Sequence, residues 1–354
     1  WPASDVADPG HTDLMNFSSD TSAPAHPKVL EAVLAANSGL EASYGNDAIT
    51  KRLRTHLADV FGTQDFDYWL TASGTASNAL ALSCFCPPTG AVLCHEGAHI
   101  AVDERGAPEF FSGGGKLQLL RGPDGKIGAA QLDEALARIN HDFVHETPAH
   151  VLSLTNLTEN GTAYSVAEIT DYAAKAHAAG LTLHMDGARL GNALVATGAS
   201  AAEMSWQAGV DVLTFGLTKT GAMGCEIILL FGKAREKKRE LEARAKRSGH
   251  MPPKMRYLAG QGEAMLAGGL WMELAAHANA MAGRMADGLQ GQGVELAFEP
   301  QGNEVFAMLS AAQAKALRTA GAVFYPWMGG SQRLVCSWAT TPEEVDAFLG
   351  VLKG

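Results

Sequence analysis

One stretch constrains this chain more than any other. Leu181 to Leu230 reads LTLHMDGARLGNALVATGASAAEMSWQAGVDVLTFGLTKTGAMGCEIILL. An apolar run ends in Asp186 and turns at Gly187. A second, Val210–Phe215, ends just before Lys219, and a third, Glu226–Phe231, follows. Short apolar runs with a helical segment between them predict strand, helix, strand. That order brings Asp186 and Lys219 to one edge of a parallel sheet, where open α/β sheets collect their ligands.

The flanking sequence keeps the same alternation. Pro27 opens a helix with Val29, Leu30, Val33 and Leu34 at helical spacing, stopped by Gly39. Asn46 or Asp47 caps a second helix, whose buried stripe is Ile49, Leu53, Leu57, Val60 and Phe61, and Gly62 ends it. YWLTASGTASNALALSC reads as strand, turn, helix. AVLC, KLQLL and VLSLT read as strands, and GAAQLDEALARIN and VAEITDYAAKAHAAG as helices. The fold class is α/β with a mainly parallel sheet. After Phe231 comes a charged helix, KAREKKRELEARAKRSGH. Its interleaved Glu236, Glu240 and Glu242 predict a solvated or subunit-edge face rather than an anion site. A long Ala/Met-rich helix then leads to a small α+β segment with strands NEVFAML and RLVCSW and a closing helix capped by Thr341. The expected division is a flexible arm over 1–16, a large domain over 17–265 and a small C-terminal domain over 266–354.

Of 354 residues, 47% are hydrophobic and 18% charged, so a sizeable core is available. Thirty-eight acidic against 27 basic residues give a net charge of −11, which argues against nucleic acid or an anionic membrane as partner. Cys84, Cys86, Cys94, Cys225 and Cys336 form no CxxC pair and read as buried thiols in a reducing cytoplasm. The acidic, Pro/Gly-rich N-terminus is unlike a signal peptide. It begins at Trp1 rather than Met, so residues are expected to precede it. No apolar run approaches the ~20 residues a membrane span needs.

The chemistry sits at the strand ends. A lysine that forms and releases an imine belongs on a turn beside a sheet, and LTKTGAMG around Lys219 is such a turn. A carboxylate buried at Asp186 requires a cationic partner. A protonated pyridine nitrogen is one: two unit charges ~4 Å apart at an effective dielectric near 20 attract by about 4 kcal/mol. Lysine and aspartate so placed are the two groups a pyridoxal-phosphate enzyme needs. Ser73-Gly74-Thr75, between a strand and a helix, offers a helix start and hydroxyls to a phosphate. His95-Glu96-Gly97-Ala98-His99 spells the HExxH zinc signature, but it follows a strand and contains Gly97, so both histidines do not share a helix face. A histidine at this strand end is instead placed to stack on a cofactor ring. Arg189 and Arg333 are candidates to clamp a substrate carboxylate.

These residues resemble the low-specificity threonine aldolase family of fold-type-I pyridoxal-phosphate enzymes, phenylserine aldolases included. The resemblance runs through SSDT at Ser19, YGND at Tyr44, SGTASN at Gly74, AH at His99, DGAR at Asp186, LTKTGA at Lys219, KMR at Arg256 and RLV at Arg333. It implies a transferase-like large domain with a mainly parallel seven-stranded sheet and a small α+β C-terminal domain. It implies pyridoxal 5'-phosphate held covalently by Lys219, with Asp186 at the pyridine nitrogen. Ser73, Gly74, Thr75 and Arg256 would be at the phosphate, and His99 stacked on the ring. Ser19, Arg189 and Arg333 would bind the substrate carboxylate. Tyr44 would reach a neighbouring subunit's site, in a homodimer or homotetramer. The implied reaction is retro-aldol cleavage of an L-β-hydroxy-α-amino acid to glycine and an aldehyde. The alternatives are β-elimination on the same fold, or a zinc hydrolase built on His95 and His99. Where many family members carry a histidine before Asn-Gly in the turn after LSL, this chain has Glu159. His99, Glu159 and a bound water are the candidates for the β-hydroxyl base.

Overall fold

The computed structural model describes residues 15–353. Helices α1 (Pro27–Ala35) and α2 (Ala48–Phe61) precede strand β1 (Phe66–Thr71) and helix α3 (Gly74–Phe85). Strand β2 (Ala91–His95) leads through α4 (His99–Val102) and α5 (Ala107–Ser112) to β3 (Lys116–Leu120) and α6 (Ala129–Ala137). Then come β4 (Ala149–Thr155), α7 (Val166–Ala178), β5 (Thr182–Gly187), α8 (Leu190–Thr197), β6 (Val212–Gly216) and β7 (Glu226–Phe231). Helices α9 (Lys238–Arg247), α10 (Arg256–Leu266) and α11 (Leu270–Gln290) carry the chain to a second sheet. That sheet holds β8 (Glu304–Ala307), β9 (Tyr325–Pro326) and β10 (Gln332–Val335), with α12 (Ala311–Thr319) after β8 and α13 (Pro342–Lys353) closing the chain.

The seven strands are ordered β1-β7-β6-β5-β4-β2-β3. All neighbours are parallel except β7, which runs against both β1 and β6. The carboxyl ends of β1, β2, β4, β5 and β6 therefore lie on one edge. So does the first residue of β7: Glu226 pairs with Thr71 on one side and Gly216 on the other. Strands β6 and β7 are buried along their whole length, as strands covered on both faces must be, which is why they read as unbroken apolar runs.

Helix α3 is buried from Ala76 to Cys84 and lies across the sheet. On β6, Phe215 meets Trp271 of α11 edge to face at 5.0 Å, a geometry worth about 0.5–1.5 kcal/mol beyond area burial. The long helix α11 serves two cores. Leu270, Trp271 and Leu274 join the main cluster, while Ala282, Met285 and Leu289 join a second one around Phe17, Phe324 and Phe348.

The caps follow the sequence. Asp47 accepts from Thr50 N at 2.7 Å, Gly62 ends α2 in the left-handed region, and Thr341 and Glu344 cap α13 reciprocally. The arm expected over 1–16 lies outside the described residues up to position 14. Met15 is buried in the second cluster and Asn16 bridges Val323. The apolar spacing of α1 does not make a core stripe. Val29 is buried, but Leu30 and Leu34 are 45% and 76% exposed. No described helix is long and apolar enough to cross a membrane, and all five cysteines are free and buried.

Candidate active site

Lys219 lies three residues past β6, in a turn tied down on every side. Leu217 N donates to Cys225 O, Cys225 N to Thr218 Oγ1, and Gly221 O accepts from His26 N. Gln261 Oε1 accepts from both Met223 N and Gly224 N. The Lys219 side chain is half-buried and, among the described residues, has no hydrogen-bond or ion-pair partner. Its charge is felt by Asp20, His99, Glu226 and Glu304, so its amine stands among them.

Asp186, 4% exposed at the end of β5, has its oxygens held by neutral donors: Asn78 Nδ2 at 2.8 Å and Ala188 N at 3.0 Å. The Asn78 amide also donates to Glu104 Oε1 at 2.8 Å, and Glu104 Oε1 lies 2.9 Å from His99 Nδ1. Asp186, Asn78, Glu104 and His99 thus form one chain of contacts. Burial raises the Glu104 carboxyl. Burial works most strongly against His99's charge, but the bond to Glu104 and the charges of Asp186 and Glu104 together outweigh it and raise the imidazole. The contact with Glu104 fixes the ring orientation through Nδ1.

Ser73, at the end of the turn after β1, caps α3 by accepting from Ala76 N at 3.3 Å. The amides of Gly74 and Thr75 are first-turn donors that the helix cannot satisfy, with the positive end of its dipole behind them. Space beside Gly74 is open: a Cβ there would meet nothing within 4 Å. Asn78 lies one turn further along α3, so the open helix start and the Asp186 carboxylate are about 6 Å apart along the helix axis, plus one side chain.

Across the site, Arg189 is buried with its fork on Asp20: Nε to Oδ2 at 2.7 Å and Nη2 to Oδ1 at 3.1 Å. Its Nη1 lies 3.4 Å from Glu304 Oε2. Burial pushes Asp20 up, but Arg189 and Lys219 outweigh it and hold the carboxyl below its ordinary range. Arg333 donates one bond from Nη2 to Ser18 O and stacks over Trp327, 4.9 Å from the ring centroid. Its Nε is buried without a partner, and burial lowers its pKa. Trp327 Nε1 in turn donates to Asn160 Oδ1, in the turn that carries Glu159. Glu159 accepts from His99 N at 2.6 Å, while its Oε2 is unpartnered. Burial pushes its carboxyl up to about 7.

Other predicted residues are placed elsewhere. Ser19 Oγ is taken up locally by Thr21 N and Thr21 Oγ1. Arg256 Nη1 turns onto the carbonyls of Ser38 and Gly39 rather than to the start of α3. Tyr44, at φ 59°, is exposed under the Lys246 ammonium. His95 closes β2 with both ring nitrogens committed, Nδ1 accepting from Gly97 N and Nε2 3.3 Å from Gly122 O, while His99 begins α4 and pairs with Glu104. The HExxH sequence therefore does not turn its histidines to one point. Among the described residues no group of three or more His, Cys, Asp or Glu is placed to hold a metal ion.

An open helix start, an unpartnered lysine amine, a carboxylate preset by neutral donors and a guanidinium with a free Nε fit the phosphate, aldehyde and pyridine nitrogen of pyridoxal phosphate and the carboxylate of an amino acid. The comparisons agree. The profile described as Beta-eliminating lyase matches residues 16–312. This chain belongs to that family. Among its relatives, the low-specificity L-threonine aldolase of Pseudomonas aeruginosa is 40% identical over 332 residues, 93% of this chain and 94% of that protein. That of Pseudomonas sp. is 38% identical over 331 residues, with the same coverage. The threonine aldolase structure from Leishmania major superposes with a TM-score of 0.89 at 30% identity, covering 96% of this chain and 98% of that one. The fold is that of fold-type-I pyridoxal-phosphate enzymes. This β-eliminating lyase family member is a pyridoxal-phosphate-dependent carbon–carbon lyase.

Sequence reading missed Asn78, Glu104, Asp20, Glu304 and Glu226. Glu226 is fully buried beside the Lys219 turn, its carboxyl pushed up to about 7 by burial, with Thr218 donating to it. Gly216 makes room for it: a Cβ there would lie 2.7 Å from Ala188 and 2.9 Å from Glu226 Oε2. The signal available in sequence was a lone acidic residue heading an apolar run, GCEIILL.

Proposed function

We propose that this lyase cleaves L-β-hydroxy-α-amino acids such as threonine, allo-threonine or phenylserine by a retro-aldol reaction, giving glycine and an aldehyde. The observation that carries this reading is the unpartnered Lys219 amine on the sheet edge that also holds the buried Asp186, in a chain of which 93% aligns with proteins named low-specificity L-threonine aldolase.

Pyridoxal phosphate, when bound, supplies a carbonyl carbon for an amine and a protonated ring that draws off the electrons of the breaking Cα–Cβ bond. The chain supplies everything else. Lys219 would hold the cofactor through its amine. Asp186 keeps the proton on the pyridine nitrogen. Ser73, Gly74 and Thr75 hold the phosphate at the start of α3. His99, fixed by Glu104, walls the ring. Arg333 takes the substrate carboxylate on its free Nε edge, with Arg189 behind it supplying charge, and this orients the bond to be broken. Glu159 accepts the β-hydroxyl proton. Its Oε2 is unpartnered, and a carboxyl at about 7 is half ionised at neutral pH, which suits a base.

The proposed assembly is a homodimer or homotetramer with active sites at the subunit interface. Leu30, Leu34, Leu40, Tyr44 and Met223 are exposed, and they lie on α1, on the loop after it and on the Lys219 turn itself. Tyr44 is then the residue that reaches a neighbouring site.

The test is glycine release from both enantiomers of threonine, allo-threonine and phenylserine, with absorbance recorded alongside. Glycine and aldehyde in equal amounts support the reading. Ammonia and a keto acid without glycine would replace it with β-elimination.

A further inference from the structure

Glu304 opens β8 and is 1% exposed, yet neither of its carboxylate oxygens accepts a hydrogen bond. A buried ionised carboxylate ordinarily collects donors. This one has only charges around it. Arg189, at the start of α8, lies 3.4 Å from Oε2. Arg333 on β10 and Lys219 on the turn after β6 also attract it, and Asp20 repels it. The turn that carries Glu159 packs on its backbone side, where a Cβ on Gly161 would lie 3.3 Å from Glu304 Cβ.

Before any substrate arrives the two guanidiniums already face Asp20 and Glu304, the Lys219 amine acts on both of these carboxylates, and weaker fields of Glu159 and Asp103 reach the guanidiniums. Arg189 is forked on Asp20, and Arg333 and Arg189 together face Glu304. The free Nε edge of Arg333 is nevertheless shaped for one more anion. An entering carboxylate adds a further anion to this buried set of charges. Asp20 cannot relieve this, because two guanidinium bonds and Asn303 Nδ2 hold it ionised. Glu304, with no hydrogen bond to lose, is the group that gives way.

We infer that Glu304 is a specificity-determining counter-charge: the substrate carboxylate enters as Glu304 takes a proton from solvent, so the pocket keeps its charge. This rests on the reading that Arg333 receives the substrate carboxylate. The proton balance is simple: one H⁺ goes from water to a Glu304 oxygen for each carboxylate bound. A monocarboxylic amino acid is matched by that one proton. A β-hydroxy amino acid with a second carboxylate brings an anion that nothing further offsets, so the pocket selects against it.

Burial already raises Glu304, and a neighbouring anion raises it again. Between those two positions binding takes up a proton, so affinity for the carboxylate falls as pH rises.

The experiment is calorimetric titration of the holoenzyme with glycine, in two buffers of different ionisation enthalpy, at neutral and mildly alkaline pH. The wild type is expected to take up as much as one proton per site more than Glu304→Gln, and its glycine affinity to fall up to tenfold more per pH unit. Glu304→Asp keeps a carboxylate and is expected to keep the extra proton, which covers the case in which the glutamine variant does not fold. Equal proton counts in the wild type and Glu304→Gln, or a count in Glu304→Asp below that of the wild type by the full proton, overturn the inference. Equal counts in an enzyme that still releases glycine from β-hydroxy amino acids overturn it alone. A holoenzyme that releases no glycine from any of them overturns the retro-aldol reading as well.

Discussion

Asp186 and Glu304 are both buried carboxylates on the same site, one ending β5 and the other beginning β8, and they are held in opposite ways. Asp186 is satisfied by an amide side chain and a backbone N–H, so its charge is kept in place by groups that carry none. Glu304 has no hydrogen bond and is kept by the charges of Arg189, Arg333 and Lys219. Neutral donors fix a carboxylate's geometry and leave its charge available to a cationic ligand. Paired guanidiniums cancel the charge and leave the geometry loose. On the proposed assignment, the cofactor side would be built in advance and the carboxylate side poised so that an incoming charge shifts it.

The largest expected effect tests what both sides serve. Lys219→Ala is expected to abolish the visible imine absorbance and aldol cleavage together; an active, colourless variant would sink the assignment of the site.

Glu159 stands between the two sides, bonded to His99 yet open at Oε2. Glu159→Gln is expected to lower kcat on the order of 10²-fold while changing glycine binding far less. The wild-type kcat should rise through about pH 7 and level off above it, because only the ionised carboxylate accepts a proton. The variant should lose that limb. A variant that keeps it, or loses glycine binding in proportion, would move the role of base to His99 or a water.

Next in size is Asn78→Ala, which removes one amide from two carboxylates at once. An unsatisfied buried acceptor costs about 1–3 kcal/mol, so cofactor affinity in a fluorescence titration of the apoprotein is expected to fall tenfold or more. An unchanged affinity would mean that Asp186 is not preset by its neutral donors.

The smallest is Arg333→Lys. A point charge replaces a planar fork, and KM is expected to rise several-fold with kcat nearly kept. A matching fall in kcat would show that the carboxylate side is as rigidly built as the cofactor side.

What the sequence made legible follows from where each residue lies on its strand. Asp186, Lys219, Ser73 and His99 lie at or a few residues past the carboxyl ends of strands, where parallel sheets collect ligands. Glu226 and Glu304 begin strands. Glu226 reaches the site edge because β7 runs backwards, and that reversal is a long-range pairing with β1 and β6 that no local pattern encodes. Asn78 lies within a helix buried all round, and Glu104 lies between two short helices; neither interrupts a periodic pattern. Leu30 and Leu34 show the converse. Their helical spacing was plain, but periodicity says only that a face is apolar, not whether this chain or another covers it.

The Lys219 turn has a kinetic meaning. Its backbone is tied to β7, to α10 and to the residue before α1, so the root of the lysine is fixed and only its methylene chain is free. On the proposed role of Lys219, an ε-amine displaced by a substrate amine would stay on a short leash. It would compete for return as an intramolecular nucleophile, with an advantage that no free amine in solution can match. The stiffness of the turn would then set how promptly the enzyme resets between turnovers.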